Sequence, residues 1–266
     1  MGLLAGEQIL SKILLRSSRP VSPWCNSRWK RGWDVAGAIV LLILLFPFML
    51  IIATAVWCTS RGPVLFRQRR TGKDREEFYI LKFRTMITAR RQQGEVFTRP
   101  ADPRITPLGR ILRKWKIDEF PQLFNVLRGE MSFVGPRPLV TQTWEEPCLL
   151  EEAVTVLSVR PGITSDATLN FRNEEAILAA HSFEDQEEAY MKAIMPLKLE
   201  MEIEYLKRAT FQSDWRIVLQ TVFRVVGTSE GPNLLRTRSL PATMEPQYAP
   251  VVNQKREYSS AADRAD

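Results

Sequence analysis

The feature that most constrains this chain is a run of 24 residues, Val35–Cys58, without a single charged side chain. As an α-helix it would extend about 36 Å, enough for the ~30 Å hydrocarbon core of a bilayer. Two details complicate a simple crossing. Pro47 stands at the middle of the run, where its missing N–H and its ring bend or break a helix. Both flanks are basic, with Lys30 and Arg31 before and Arg61, Arg67, Arg69 and Arg70 after, and basic flanks favour the cytoplasmic side. A helix-break-helix hinged at Pro47, entering and leaving by one face, satisfies both constraints. A kinked crossing and a buried core helix are the alternatives.

Charge and rare residues narrow the chemistry. The balance of 37 basic to 30 acidic residues gives +7, which points to anionic partners such as phosphates or phospholipid headgroups. Nucleic acid is not an expected partner: no helix-turn-helix, RNP-like or zinc-finger pattern is present. Cys25, Cys58 and Cys148 are too scattered for a disulfide framework or a zinc site. His181 is the single histidine, so any Ser-His or Cys-His nucleophile would have to use it. Its Ala-Ala-His-Ser-Phe setting reads as an ordinary surface or boundary position. Nucleophilic and acid–base work therefore falls to carboxylates.

The fold class expected is α+β, mainly helical: a re-entrant membrane helix plus a small cytoplasmic domain with amphipathic interfacial helices and a short β-hairpin. Residues 1–28 read as an N-terminal extension in which Leu10, Ile13 and Leu14 share one helical face, with no cleavable signal peptide. Residues 29–60 form the membrane helix, 61–228 the catalytic domain and 229–266 a disordered tail. Val64–Phe66 and Phe78–Leu81 read as two strands around the turn Thr71-Gly72-Lys73-Asp74. Residues 88–101 form a polar loop. Thr106-Pro107 opens a helix as N-cap and first residue, with Leu108, Ile111, Leu112 and Trp115 on one face. Phe120, Leu123, Phe124 and Leu127 continue a second period beyond Pro121, and Gly129 ends it. The segment 131–138 reads as a rigid loop and Arg160-Pro161-Gly162 as a turn. Further helices are expected around 145–157, over 184–208 with a bend at Pro196, and over 214–226. The last places Ile217, Val218, Val222, Phe223 and Val226 on one face, suited either to a membrane surface or to packing on the domain.

Three basic clusters surround one acidic pair. They are Lys82-Phe83-Arg84, then Arg110, Arg113, Lys114 and Lys116 just ahead of Asp118-Glu119, and finally Arg137 between two prolines. Arginine and lysine hold phosphate by charge-assisted hydrogen bonds. A carboxylate beside cations stays ionised and can attack phosphorus, and a neighbouring carboxylate can hold Mg²⁺. The constellation suits metal-assisted phosphoryl transfer next to a membrane.

KRGWD, the Pro47-centred apolar run, RQRRTG, KFRTM, DPRITPLGRILRKWKIDEFPQLFNVLRGEMSFVGPRP and RPGIT follow one another in that order. Together, over roughly residues 28–226, the chain resembles the compact form of the monotopic phosphoglycosyl transferases. These are also called bacterial sugar transferases or polyprenyl-phosphate hexose-1-phosphate transferases. The resemblance implies transfer of a sugar-1-phosphate from a UDP-sugar to polyprenyl (undecaprenyl) phosphate, with release of UMP, at the cytoplasmic face of the bacterial inner membrane. It implies Asp118 as the nucleophile that becomes a phosphosugar-aspartyl intermediate, and Glu119 as the Mg²⁺ ligand. Lys82, Arg84, Arg113 and Arg137 match phosphate-binding positions. Lys30 and Arg31 match the place where the helix meets lipid headgroups, and Pro47 matches the hinge of a re-entrant helix. The phospholipid bilayer, a homodimer partner and downstream glycosyltransferases are the further partners implied. Phe46 stands where many members have Ser, which removes a hydroxyl able to bond carbonyls freed at the hinge. Ser165-Asp166-Ala167 and Phe171–Glu175 also depart from the common pattern, at a segment suited to choosing the sugar.

Overall fold

The computed structural model describes residues 20–87, 102–140, 143, 150–171, 190 and 194–226. The expected N-terminal helical face, the loop 88–101, His181, Cys148, Arg172-Asn173, the first part of the helix over 184–208 and the tail lie outside the described residues.

The apolar run forms α1 (Arg28–Thr59), started by Ser27, whose side chain accepts from the Lys30 amide at 3.0 Å. Its buried residues, Lys30, Asp34, Ala38, Leu42, Met49, Ile52 and Val56, recur three, four or seven apart, which is one stripe of a helix. Ile39, Val40, Ile43, Leu44, Leu50 and Ile51 are exposed on the remainder of the surface. The expected break at Pro47 is absent: the helix continues through the proline. Packing explains this. Leu42 and Leu45 before the proline, and Met49 and Ile52 after it, belong to one apolar cluster with Phe83, Leu112 and Leu123, so both halves are held to the same surface.

β1 (Leu65–Thr71) and β2 (Glu77–Phe83) form the expected hairpin, longer than the apolar residues alone indicated, in antiparallel register with Gln68 opposite Ile80. The dyad segment comprises α2 (Pro107–Lys114), a 3₁₀ turn (Ile117–Glu119) and α3 (Gln122–Arg128). The two ends read from the sequence are in place. Thr106 Oγ1 accepts from the Gly109 amide at 2.9 Å, and Gly129 closes α3 with φ +86°. The apolar face expected of α2 divides, however. Leu112 is buried, while Ile111 and Trp115 are exposed.

A second, parallel pair was not legible as strands: β3 (Ser132–Val134) lies beside β4 (Gly162–Thr164). The chains come so close that a Cβ on Gly162 would stand 2.2 Å from the Gly135 nitrogen. Glycine at both positions makes the crossing possible, and the crossing places the loop Gly135–Pro138. The remaining described helices are α4 (Leu150–Val156), α5 (Asp166–Asn170), α6 (Met195–Arg208) and α7 (Phe211–Val226). Pro196 stands in the first turn of α6, where its missing N–H has no intrahelical partner to lose. Ile217 of α7 is buried and Val218 half-buried, whereas Phe211, Trp215, Leu219, Val222 and Phe223 are exposed. The apolar exposed face of α7 thus differs from the one expected, because Ile217 and Val218 join a core with Cys25, Val134 and Leu206.

Candidate active site

Asp118 and Glu119 lie in the 3₁₀ turn between α2 and α3, with Lys116 just ahead in the left-handed region at φ +54°. Both carboxylates are buried. Glu119 Oε1 accepts from Lys82 Nζ at 2.7 Å and from Arg137 Nη2 at 3.0 Å. Side chains 37 and 18 residues away in sequence therefore converge on a single oxygen. Lys82 arrives on β2, and Arg137 on the loop that leaves β3.

The two carboxyls respond to burial in opposite ways. Burial alone would push Glu119 up, but Lys82 and Arg137, helped by Lys116, hold it well below the ordinary glutamate value. Asp118 is raised, first by burial and then by the charge of Glu119, against the pull of Lys82, Lys116 and Arg113. Burial lowers Lys82, with Glu119 opposing. Asp118 Oδ1 is buried and has no hydrogen-bond partner. Such an atom is costly unless a ligand or ion completes it. The site thus holds one carboxylate locked between cations and one carrying a bare buried oxygen.

The remaining residues expected of the site divide. Arg113 Nε donates to Thr85 Oγ1 at 3.0 Å and Nη2 contacts Met86 Sδ at 3.5 Å, and its charge acts on Asp118. Arg84 is placed elsewhere. Its buried guanidinium donates to the Val56 and Ser60 carbonyls, the Ser60 hydroxyl and the Pro63 carbonyl. It satisfies the orphan carbonyls at the end of α1 instead of facing the dyad. Lys30 is buried in an ion pair with Asp214. Arg31 donates to the Val126 and Leu127 carbonyls at 2.6 and 3.0 Å, capping α3. Both were expected at lipid headgroups. The structure uses them to fasten α1 to the domain, because each has a fixed acceptor within reach. The residue after Pro47, Phe48, has its ring 6.5 Å from that of Phe120, the residue after Glu119.

Two participants were not singled out from the sequence. Asn125 of α3, fully buried, donates from Nδ2 to the Tyr79 carbonyl at 2.8 Å and accepts at Oδ1 from the Leu81 amide at 3.1 Å. Glu202 of α6, also buried, accepts from Ser165 Oγ at 2.6 Å, and the Arg137 backbone amide interacts with the same carboxyl. Neither has a sequence signature, since an Asn on an apolar helix face and a Glu in a charged helix are both commonplace.

Among the described residues no group of three or more His, Cys, Asp or Glu side chains could cage a metal. The unpartnered Asp118 oxygen beside Glu119 does fit Mg²⁺ of the kind held by one or two carboxylates together with substrate phosphates.

Comparison with known proteins bears on the family of the chain. The family model described as Bacterial sugar transferase matches residues 25–228. The chain is similar to the undecaprenyl-phosphate glucose phosphotransferase of Komagataeibacter xylinus, with 37% identity over 218 residues, 78% of this chain and 37% of that protein. It is similar to the UDP-N-acetylgalactosamine-undecaprenyl-phosphate N-acetylgalactosaminephosphotransferase of Aeromonas hydrophila, with 46% identity over 109 residues, 41% of this chain and 26% of that protein. It is also similar to the uncharacterized sugar transferase EpsL of Bacillus subtilis (strain 168), with 36% identity over 202 residues, 76% of this chain and 89% of EpsL. The chain thus spans well under half the length of the first two relatives and most of the third.

Proposed function

The chain belongs to the bacterial sugar transferase family, and on that premise we propose that it transfers a sugar-1-phosphate from a UDP-sugar to undecaprenyl phosphate. The observation that carries the reading is the convergence of Lys82 and Arg137 on Glu119 beside the unpartnered Asp118 oxygen. The names of two relatives give different sugars, glucose and N-acetylgalactosamine, so the proposal is of their shared reaction class.

In this reading an Asp118 carboxylate oxygen attacks the β-phosphorus of the donor. The bond from that phosphorus to the bridging oxygen breaks, and UMP leaves with the bridging oxygen. An oxygen of the acceptor phosphate then attacks the same phosphorus. The aspartyl–phosphorus bond breaks, which regenerates the Asp118 carboxylate and gives a polyprenyl-diphosphate-sugar. Lys82, Arg137 and Arg113 orient the diphosphate oxygens and offset their charge. Glu119 would hold Mg²⁺ with substrate oxygens, and the bound ion would neutralise phosphate charge.

The topology proposed is re-entrant by a bend of the continuous helix α1 at Pro47 instead of a break, with the site at the cytoplasmic face. Support comes from both ends of α1. Near the start, Lys30 pairs with Asp214, and Asp34 accepts from the Phe133 amide at 3.1 Å. Near the end, Arg84 holds Val56 and Ser60. One small domain therefore binds both ends of the helix, which does not suit ends lying on opposite sides of a bilayer.

The deciding experiment uses the full chain in nanodiscs, undecaprenyl phosphate and a panel of UDP-sugars. UMP release is expected, with loss of at least about a thousandfold in Asp118→Asn while donor binding persists. Release of UDP in place of UMP, or normal turnover by Asp118→Asn, would refute the proposal.

A further inference from the structure

β2 has one edge paired with β1 and another facing α3. On the facing edge the Tyr79 carbonyl and the Leu81 amide would bind a third strand if one were there. The Asn125 side chain takes both, at 2.8 and 3.1 Å. A carboxamide carries one donor group and one acceptor, as a peptide unit does, so it mimics one link of a neighbouring strand. Its orientation is fixed by Glu130, whose Oε2 accepts from Asn125 Nδ2 at 2.6 Å. An acceptor-only carboxylate leaves the amide no alternative arrangement.

The clamp's position gives it consequence. Lys82, the next residue along β2 from Leu81, reaches Glu119 Oε1. Asn125 stands on the helix that begins just after Glu119. The cation and the carboxylate it must meet are thus borne on two elements that the carboxamide joins directly. A lysine side chain has many rotatable bonds, so the contact with Glu119 does not by itself fix where β2 lies. Resting on the reading of this site as a sugar-phosphate transfer centre, we propose that Asn125 is a positioning residue for Lys82: it sets the distance between β2 and the dyad turn so that the ammonium meets the donor's diphosphate.

The test is a pair of double-mutant cycles on UMP release by the full chain in nanodiscs. Asn125→Ala is expected to lower kcat/KM about tenfold. In a Lys82→Met background it is expected to have almost no further effect. In an Arg113→Ala background the tenfold loss should persist, since Arg113 is not held by the clamp. A general loss of folded structure would lower all backgrounds alike. Should Asn125→Ala not fold, Asn125→Asp takes its place: it has nearly the same size, lacks the donor for Tyr79 and repels Glu130. Full additivity with Lys82, equal coupling to Lys82 and Arg113, or wild-type kinetics in the variant would overturn the proposal. Absence of UMP release by the unmodified chain would instead defeat the underlying function, so the two failures are distinguishable.

Discussion

Asp118 and Glu119 are neighbours, both buried, yet shifted in opposite directions. What differs is how many cations each one touches. Glu119 is bonded to Lys82 and Arg137, so it stabilises the fold once ionised. That contribution is complete above its unfolded value of about 4.3 and is lost as pH falls through its depressed folded value. Asp118 has the reverse sign. Its raised folded value means stability is greatest below about pH 3.9 and falls as pH climbs towards the folded value. Asp118→Asn should therefore melt higher than the wild type at pH 7, with the gap closing in acid. Glu119→Gln should melt lower at pH 7, and its deficit should shrink in acid. Thermal unfolding from pH 3 to 8 checks both, and matching signs would contradict the site's electrostatics. Glu202 extends the pattern. Burial raises it to about 8, with Ser165 and Lys198 opposing, so the wild type should lose stability between pH 4.5 and 8 relative to Glu202→Gln.

At the scale of elements, close crossings and charge pins place the site. The β3–β4 crossing aims Arg137, and it depends on two glycines in near contact. Gly162→Ala should push the loop Gly135–Pro138 outward and weaken donor binding about tenfold or more, while α1 and its anchors persist. Isothermal titration with a UDP-sugar on the Asp118→Asn background would measure it, and unchanged affinity would show the loop to be more yielding than its packing implies. The start of α1 is pinned differently. Asp214 of α7 takes Lys30, the Trp24 indole at 2.9 Å and the Tyr205 hydroxyl at 2.5 Å. Removing one partner of a buried ion pair costs about 3–5 kcal/mol. Asp214→Ala should lower stability by that order, measured by denaturant unfolding in detergent. A loss below about 1 kcal/mol would mean that water reaches Lys30.

At the scale of the whole molecule, most of the exposed large apolar side chains among the described residues lie on or beside α1, α2 and α7. Trp33 lies 5.2 Å from Phe211 between ring centroids, which links the apolar faces of α1 and α7. Ile111 and Trp115 add to this surface beside the dyad. Apolar area on this scale needs covering, and a lipid interface beside the dyad would also admit a lipid-borne acceptor. The re-entrant arrangement proposed above gives a direct expectation. Cys58, exposed at the end of α1, and a cysteine introduced by Trp29→Cys at its start should both be labelled by an impermeant maleimide applied from the cytoplasmic side. Cys25 should stay silent, because burial pushes its thiol up to about 11. Labelling of the two ends from opposite sides would exclude re-entrance.

The sequence alone determined what is local or purely chemical. An uncharged run long enough for a bilayer follows from composition. The Thr106 cap and the Gly129 stop follow from backbone preferences within a few residues. The paucity of alternatives, with one histidine and scattered cysteines, left the carboxylates as the candidates for the chemistry. Only the tertiary structure decided which cations serve the dyad. Lys82, Arg84 and Arg137 are equally basic on paper, but hydrogen bonding is settled by position. The β2 edge carries Lys82 to Glu119, whereas Arg84 finds the open carbonyls at the end of α1 first. The pairing of β3 with β4, the division of the α7 face and the continuity of α1 through Pro47 were likewise decided by partners distant in sequence. A short strand or a proline in a helix has its fate set by what packs against it.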